Sequence, residues 1–132
     1  KWGIVSNNSS GVISNAYFAP SATSAGSFFQ YGNGTWTILA SSFTFENGLG
    51  TNFQGHLITR EITGLNVVGS RIEFDRVPAV TIEGGGLHRF AGVSFSVGAN
   101  PPAAAFTYAG AASSQPTIAT AWLGSMVLDG GW

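Results

Sequence analysis

Short runs in which apolar and polar residues alternate with a period of two most constrain what this chain can fold into. In TWTIL (35–39), Trp36 and Ile38 fall on one side and Thr35 and Thr37 on the other. SFTFE (42–46) groups Phe43 with Phe45. RIEFD (71–75) sets Ile72 and Phe74 against Arg71, Glu73 and Asp75, and AVTIE (79–83) pairs Val80 with Ile82. GVSFSVG (92–98) turns Val93, Phe95 and Val97 one way and Ser94 and Ser96 the other, and TAWLGSMVL (120–128) closes the series. Such alternation is the pattern of a half-buried strand.

Turn-forming residues separate the runs. YGNGTW (31–36) holds Asn33-Gly34 and ENGLG (46–50) a second Asn-Gly, the strongest short-range hairpin signal. TGLN (63–66), VGS (68–70), RVPA (76–79) and GANPP (98–102) punctuate the rest. The expectation is all-β: an antiparallel β-sandwich or jelly roll of about 8–10 short strands, with little or no helix. The best helical candidate, PPAAAFTYAGAA (101–112), is interrupted by β-formers and Gly110. Residues 1–30, rich in Ser, Asn and Ala, read as an N-terminal arm with one strand over 11–18 that packs on a neighbouring subunit. Residues 31–132 read as the sandwich of a single domain. TNFQGHLI (51–58), HRFAGVSF (88–95) and TAWLGSMV (120–127) each place an apolar residue before a Gly and an apolar run after it. Shared composition accounts for this echo, and no repeat architecture is expected.

Composition narrows the function classes. The chain has 132 residues, enough for one domain with its own core, and no Cys, which excludes a disulfide scaffold and thiolate metal sites. Charged residues make up 8% and the net charge is −1, against about 25% charged in an average soluble domain. Lys1 is the only lysine, so a phosphate-binding face for nucleic acid and a basic membrane-surface helix are both excluded. No apolar run approaches the roughly 18 residues of a membrane-spanning helix, and no apolar leader follows Lys1. The surface must be built from Ser, Thr, Asn, Gln, Gly and Ala. That suits an extracellular or virion-surface protein, or a homo-oligomer whose faces are covered by neighbours.

No catalytic or cofactor motif is present. The two histidines, His56 and His88, lack the third and fourth ligands of a zinc site, and there is no G-x-S-x-G elbow. Glu73 and Asp75 share one strand face about 7 Å apart, a spacing open to glycoside chemistry, but Arg71 and Arg76 flank them and suggest ion pairing. GGGLHRF (84–90) reads as a hairpin loop of Gly84–Gly86 whose glycine tip sets His88 and Arg89 on opposite faces of the next strand. Trp and Tyr in a weakly charged β-protein are consistent with sugar stacking. The expected ligand contacts are Tyr31, Asn33, Trp36, His88 and Arg89, with no metal, no cofactor and no catalytic residue.

The texture of low charge, Asn-Gly turns and Gly/Ser/Thr/Ala surface resembles the β-rich tip modules of phage tail fibres. It also resembles the trimeric C1q/TNF-type jelly rolls of phage fibres and bacterial surface filaments. TAWLGSMVL (120–128) is similar to the aromatic-Gly final strand of that jelly roll. The resemblance implies a non-enzymatic structural or receptor-binding module of a virion or cell-surface filament, homotrimeric and glycan-binding. A capsid decoration or filament subunit acting through its interfaces is the alternative, and a glycan-active enzyme using Glu73 and Asp75 the second.

Overall fold

The computed structural model describes residues 1–45, 50–61, 63–83, 86–108 and 124–129, with Tyr108 and 124–129 described by backbone alone. The chain winds into a parallel β-solenoid. Its first coil is β1 (Trp2–Asn7), β2 (Gly11–Ser14) and β3 (Tyr17–Phe18); its second is β4 (Gly26–Tyr31), β5 (Gly34–Leu39) and β6 (Ser42–Phe43). The third is β7 (Gly55–Arg60), β8 (Thr63–Val68) and β9 (Arg71–Phe74), and the fourth is β10 (Val80–Glu83), β11 (Gly86–Ala91) and β12 (Ser94–Val97). A fifth coil begins with β13 (Phe106–Tyr108) and β14 (Gly124–Asp129). Each strand pairs with its equivalent one coil on, giving sheet A (β1-β4-β7-β10-β13), sheet B (β2-β5-β8-β11-β14) and sheet C (β3-β6-β9-β12).

This arrangement overturns the antiparallel jelly roll, because every strand pairing among the described residues is parallel. Alternation reports that one strand face is buried and carries no information on the direction of the neighbouring strand. Parallel sheets are ordinarily covered on both faces, which makes alternation point to antiparallel pairing. A solenoid escapes that rule by wrapping parallel sheets round its own interior. The turn signals mark corners where the chain passes to another sheet. Asn33-Gly34 joins β4 of sheet A to β5 of sheet B, so no hairpin forms there. The expected Gly84–Gly86 hairpin fails likewise: β10 and β11 lie in different sheets, and Gly84 and Gly85 fall outside the described residues. Asn47-Gly48 also lies outside them. Residues 1–30, expected as an arm with one strand, carry the whole first coil and most of β4. No helix occurs among the described residues.

Equivalent inward positions stack in files along the axis. Ile4, Phe28, Leu57, Val80 and Phe106 form one in sheet A. Ile13, Ile38, Val67 and Phe90 form another in sheet B, and Phe18, Phe43, Ile72 and Phe95 a third in sheet C. Phe28, Ile38, Phe43, Leu57, Val67, Ile72 and Val80 are all fully buried. Three converging files thus fill the interior without any helix to cover them.

The corners also repeat. The residue after Ser14, Leu39, Val68 and Ala91, which are in mutual register, is Asn15, Ala40, Gly69 or Gly92. All four are left-handed, with φ of 51°, 45°, 57° and 58°. The amides of Asn15, Ala40 and Gly69 each donate to a carbonyl of the next coil, Leu39, Val68 and Ala91. Behind them the Ser41 hydroxyl donates to the Leu39 carbonyl and accepts the Ala16 amide. Ser70 does the same one coil on, with the Val68 carbonyl and the Ser41 amide.

Ala40 is therefore a strained choice, since a left-handed non-glycine residue costs roughly 1–2 kcal/mol. A Cβ at Gly69 would meet nothing within 4 Å, so backbone conformation alone sets the cost there. Ala40→Gly is expected to stabilise by about 0.5–1 kcal/mol and Gly69→Ala to destabilise by a similar amount, after allowing for the looser unfolded glycine chain. Urea titration of both variants checks the opposite signs. Ser70→Ala, which strands the buried Ser41 amide, is expected to cost about 1–3 kcal/mol in the same assay.

His56 gives the fold a pH dependence. It is fully buried, its Nδ1 lies 2.8 Å from Ser27 Oγ, and Phe43 and Phe53 meet its ring edge-on. Burial lowers its pKa to about 4, with the Glu73 backbone pulling weakly the other way. Between pH 6.5 and 4 the unfolded chain takes up a proton that the folded chain refuses. Stability is therefore lost as pH falls through that window and levels off below it. The contribution is on the order of 3 kcal/mol. Denaturation at pH 7 and pH 4 should show His56→Gln losing less stability between the two than the parent does, by about that amount.

Candidate functional site

The corner between sheets A and B carries a shallow groove of about 380 Å³. Its floor is Gly34, Gly64 and Gly86, and its polar rim is Ser10, Asn33, Thr35 and Asn66, with Leu87 at one end. These residues come from coils one to four, so the groove runs along the solenoid axis. Gly64 keeps it open: a Cβ there would lie 2.7 Å from Thr35 Oγ1. Thr63 borders the groove but is 1% exposed and shares the inward parity of Leu65 and Val67, so its side chain belongs to the interior. Leu87 is 60% exposed, a large apolar side chain held in water at the end of the groove. Among the described residues no charged side chain lines the groove. It offers amides, hydroxyls and one aliphatic contact, which is the chemistry of an uncharged, hydroxyl-rich ligand.

The five residues singled out in the sequence gather round this corner but face different ways. Asn33 is on the rim, and its amide N–H donates to Asn8 Oδ1 at 2.9 Å. Arg89 is exposed on the outer face of sheet B, in register with Asn66. Tyr31 lies on the outer face of sheet A, stacked on Phe29 at 5.4 Å. Trp36 turns inward: its Nε1 donates to Ser6 Oγ at 2.7 Å and its ring meets Phe28 edge-on at 5.5 Å. His88 is fully buried, joined to Trp36 through Leu65, with which both are in register. Trp36 and His88 thus stand beneath the groove, without an open face towards it. Sequence reading missed Ser10, Thr63, Gly64 and Asn66. TGLN (63–66) looks like a turn, and only the inter-coil register places it as the start of β8 opposite Gly34 and Thr35.

A second feature lies on the outer face of sheet A. Trp2 stacks on Phe29 at 5.2 Å and Phe29 on Tyr31, while the Arg60 guanidinium sits 5.1 Å from the Phe29 centroid. Arg60 also pairs with Glu83, its register neighbour.

Glu73 and Asp75 are engaged structurally. Glu73 lies 2.5 Å from Arg71 on the same strand. Asp75 accepts the Asn100 amide at 2.6 Å and lies 3.7 Å from Arg76. A cleft of about 250 Å³ beside Asp75 is lined by Thr51, Phe53, Arg76 and Val77, and Glu73 does not line it. Among the described residues no three His, Asp or Glu side chains converge as metal ligands would. No family model, no curated protein and no solved structure matches this chain.

The two carboxylates should separate in a stability assay. Glu73 pairs with an Arg71 side chain that is 58% exposed, so Glu73→Gln is expected to change stability by no more than about 0.5 kcal/mol. Asp75, 15% exposed, fixes the loop at Asn100, and Asp75→Ala is expected to cost about 1–2 kcal/mol. Equal effects in urea titration would contradict this division.

Proposed function

We propose that this chain is a non-enzymatic β-solenoid module of a virion or cell-surface assembly that binds a neutral glycan in the groove between sheets A and B. The observation that carries the reading is the uncharged groove itself. A glycine floor is rimmed by the side chains of Asn33, Asn66, Thr35 and Ser10. Amide and hydroxyl side chains round such a floor donate to and accept from the hydroxyls of a sugar. Leu87 supplies an aliphatic surface for the CH side of the ring. The groove is borne on paired strands, which hold its rim residues at fixed spacing and limit the entropy lost on binding.

The homotrimer that accompanied the jelly-roll resemblance has no separate support now that the fold is a solenoid.

An array of neutral and acidic glycans tests the reading. The intact chain should retain neutral glycans, and Asn66→Ala or Thr35→Val should weaken retention at least about tenfold while the fold is kept. Gly64→Val, which fills the groove, should abolish it. Exclusive retention of acidic glycans, or retention unaffected by Gly64→Val, would remove the groove from the proposal.

A further inference from the structure

We infer that the sugar taken into the groove between sheets A and B is an N-acetylhexosamine, with Leu87 receiving the acetyl methyl and the Asn66 side chain the amide of the same substituent. The inference rests on the glycan reading and narrows it to one class of neutral sugar.

The outward positions of sheet B set the shape of the site. Thr35, Gly64 and Leu87 follow one another in a single file, since Thr35 is in register with Gly64 and His88 with Leu65. Gly64 leaves a notch in that file, walled by Thr35 on one side and Leu87 on the other. Successive coils lie about 4.8 Å apart, so the two walls stand roughly 10 Å from each other. A side chain at Gly64 would fill the notch, and its Cβ would lie 2.7 Å from Thr35 Oγ1. Asn66 lines the groove two residues further along β8, on the same face. One coil and two residues separate it from Leu87, a diagonal of about 8 Å.

The lining matches a plain hexose poorly. Among the described residues no aromatic side chain lines the groove, so the broad platform on which a pyranose ring stacks is missing. The large apolar contact is one aliphatic side chain, Leu87, in a groove otherwise made of amides, hydroxyls and glycine. A methyl group covers such a side chain well, and a hydroxyl does not. The polar lining includes two amides, Asn33 and Asn66, each with an acceptor oxygen and two N–H donors. An acetamido substituent is neutral and joins a methyl to an amide on one short arm. Its N–H can donate to Asn66 Oδ1, or its carbonyl accept from Asn66 Nδ2, while the methyl lies against Leu87. The ring hydroxyls are left for the opposite wall, where Ser10 Oγ accepts the Thr35 amide at 2.9 Å and keeps its own hydrogen to donate. A deoxyhexose brings a methyl without the amide, and a plain hexose brings neither.

An array of neutral oligosaccharides in linkage-matched sets tests the inference on the full chain. The members of a set differ only in whether one unit is a hexose, a deoxyhexose or an N-acetylhexosamine. Retention should favour the N-acetylated member at least about tenfold. Leu87→Ser alters an exposed side chain, so circular dichroism and the urea midpoint should stay close to the parent's. It should bring the preference down towards unity, weakening the plain hexose less than the N-acetylated member. Leu87→Met, which keeps an apolar arm, should preserve the preference. Sets retained equally, a preference for the deoxyhexose, or a preference that Leu87→Ser leaves intact would overturn this inference while the groove kept its glycan. A chain that retains no neutral glycan would overturn both readings.

Discussion

The parallel hydrogen-bonded register between successive coils is the constraint on which everything else in this molecule depends. Each strand is short, from two to six residues, and gains its neighbours only when the chain has travelled a full turn. The return to register must hold in three sheets at once. If coil three slipped by one residue against coil two, Leu57 would leave Phe28 and His56 would take its place. Because side chains alternate with a period of two, such a slip would turn the whole inward file outward. Register is therefore enforced by the core, and the core exists only in register. The contacts are overwhelmingly long-range in sequence, which predicts folding that is slow for a chain of this size.

Between the strands, the corners carry the burden of changing direction without losing hydrogen bonds. The left-handed residue at the B-to-C corner recurs in four coils, and a second set, Asn8, Gly32 and Glu61, recurs at the A-to-B corner with φ of 47°, 80° and 64°. Asn at two of these positions and Gly at three fit a conformation in which a Cβ is costly. Ala40 and Glu61 hold the same backbone without that advantage. The surrounding coils impose the corner strongly enough to override local preference. The Ser41 and Ser70 hydroxyls serve the same end, since each links its own coil to the backbone of the preceding one.

Much of this was legible in the sequence, though direction was not. The runs at 35–39, 71–75, 79–83 and 92–98 coincide with β5, β9, β10 and β12, and their expected inward residues lie in or against the core except Val97, which is 55% exposed. Facing was legible as well. Trp36 shares parity with Ile38, and His88 with Phe90, so both belong inside by the same rule that located the strands. The repeat was hidden by uneven coil lengths. Ile4, Phe28, Leu57, Val80 and Phe106 follow at steps of 24, 29, 23 and 26 residues, so no fixed period aligns them. A truer echo lies in ISNAYFAP (13–20), ILASSFTF (38–45), VVGSRIEF (67–74) and FAGVSFSV (90–97), each an apolar residue, a corner and a further strand. The segments compared at 51–58, 88–95 and 120–127 align Gly55, Gly92 and Gly124, which occupy different corners. The groove was less accessible still, because its residues come from four coils and meet only through register.

The scarcity of charge, read first as a sign of a virion surface or of faces covered by neighbours, has a cause within the chain. In a parallel solenoid every outward side chain has an equivalent about 4.8 Å above and below it. Two like charges at that spacing repel by roughly 1 kcal/mol even in water, and the repulsion accumulates along a file. Outward files here carry at most one charge or a pair of opposite sign. Tyr17, Ser42, Arg71 and Ser94 form one, and Asn7, Tyr31, Arg60 and Glu83 another. No register pair among the described strands sets like charges together. Stacking therefore selects neutral outward residues before any partner does. The faces that result are flat, weakly charged and partly apolar. A fold that must keep its own coils from repelling one another is left with surfaces that do not repel a second copy.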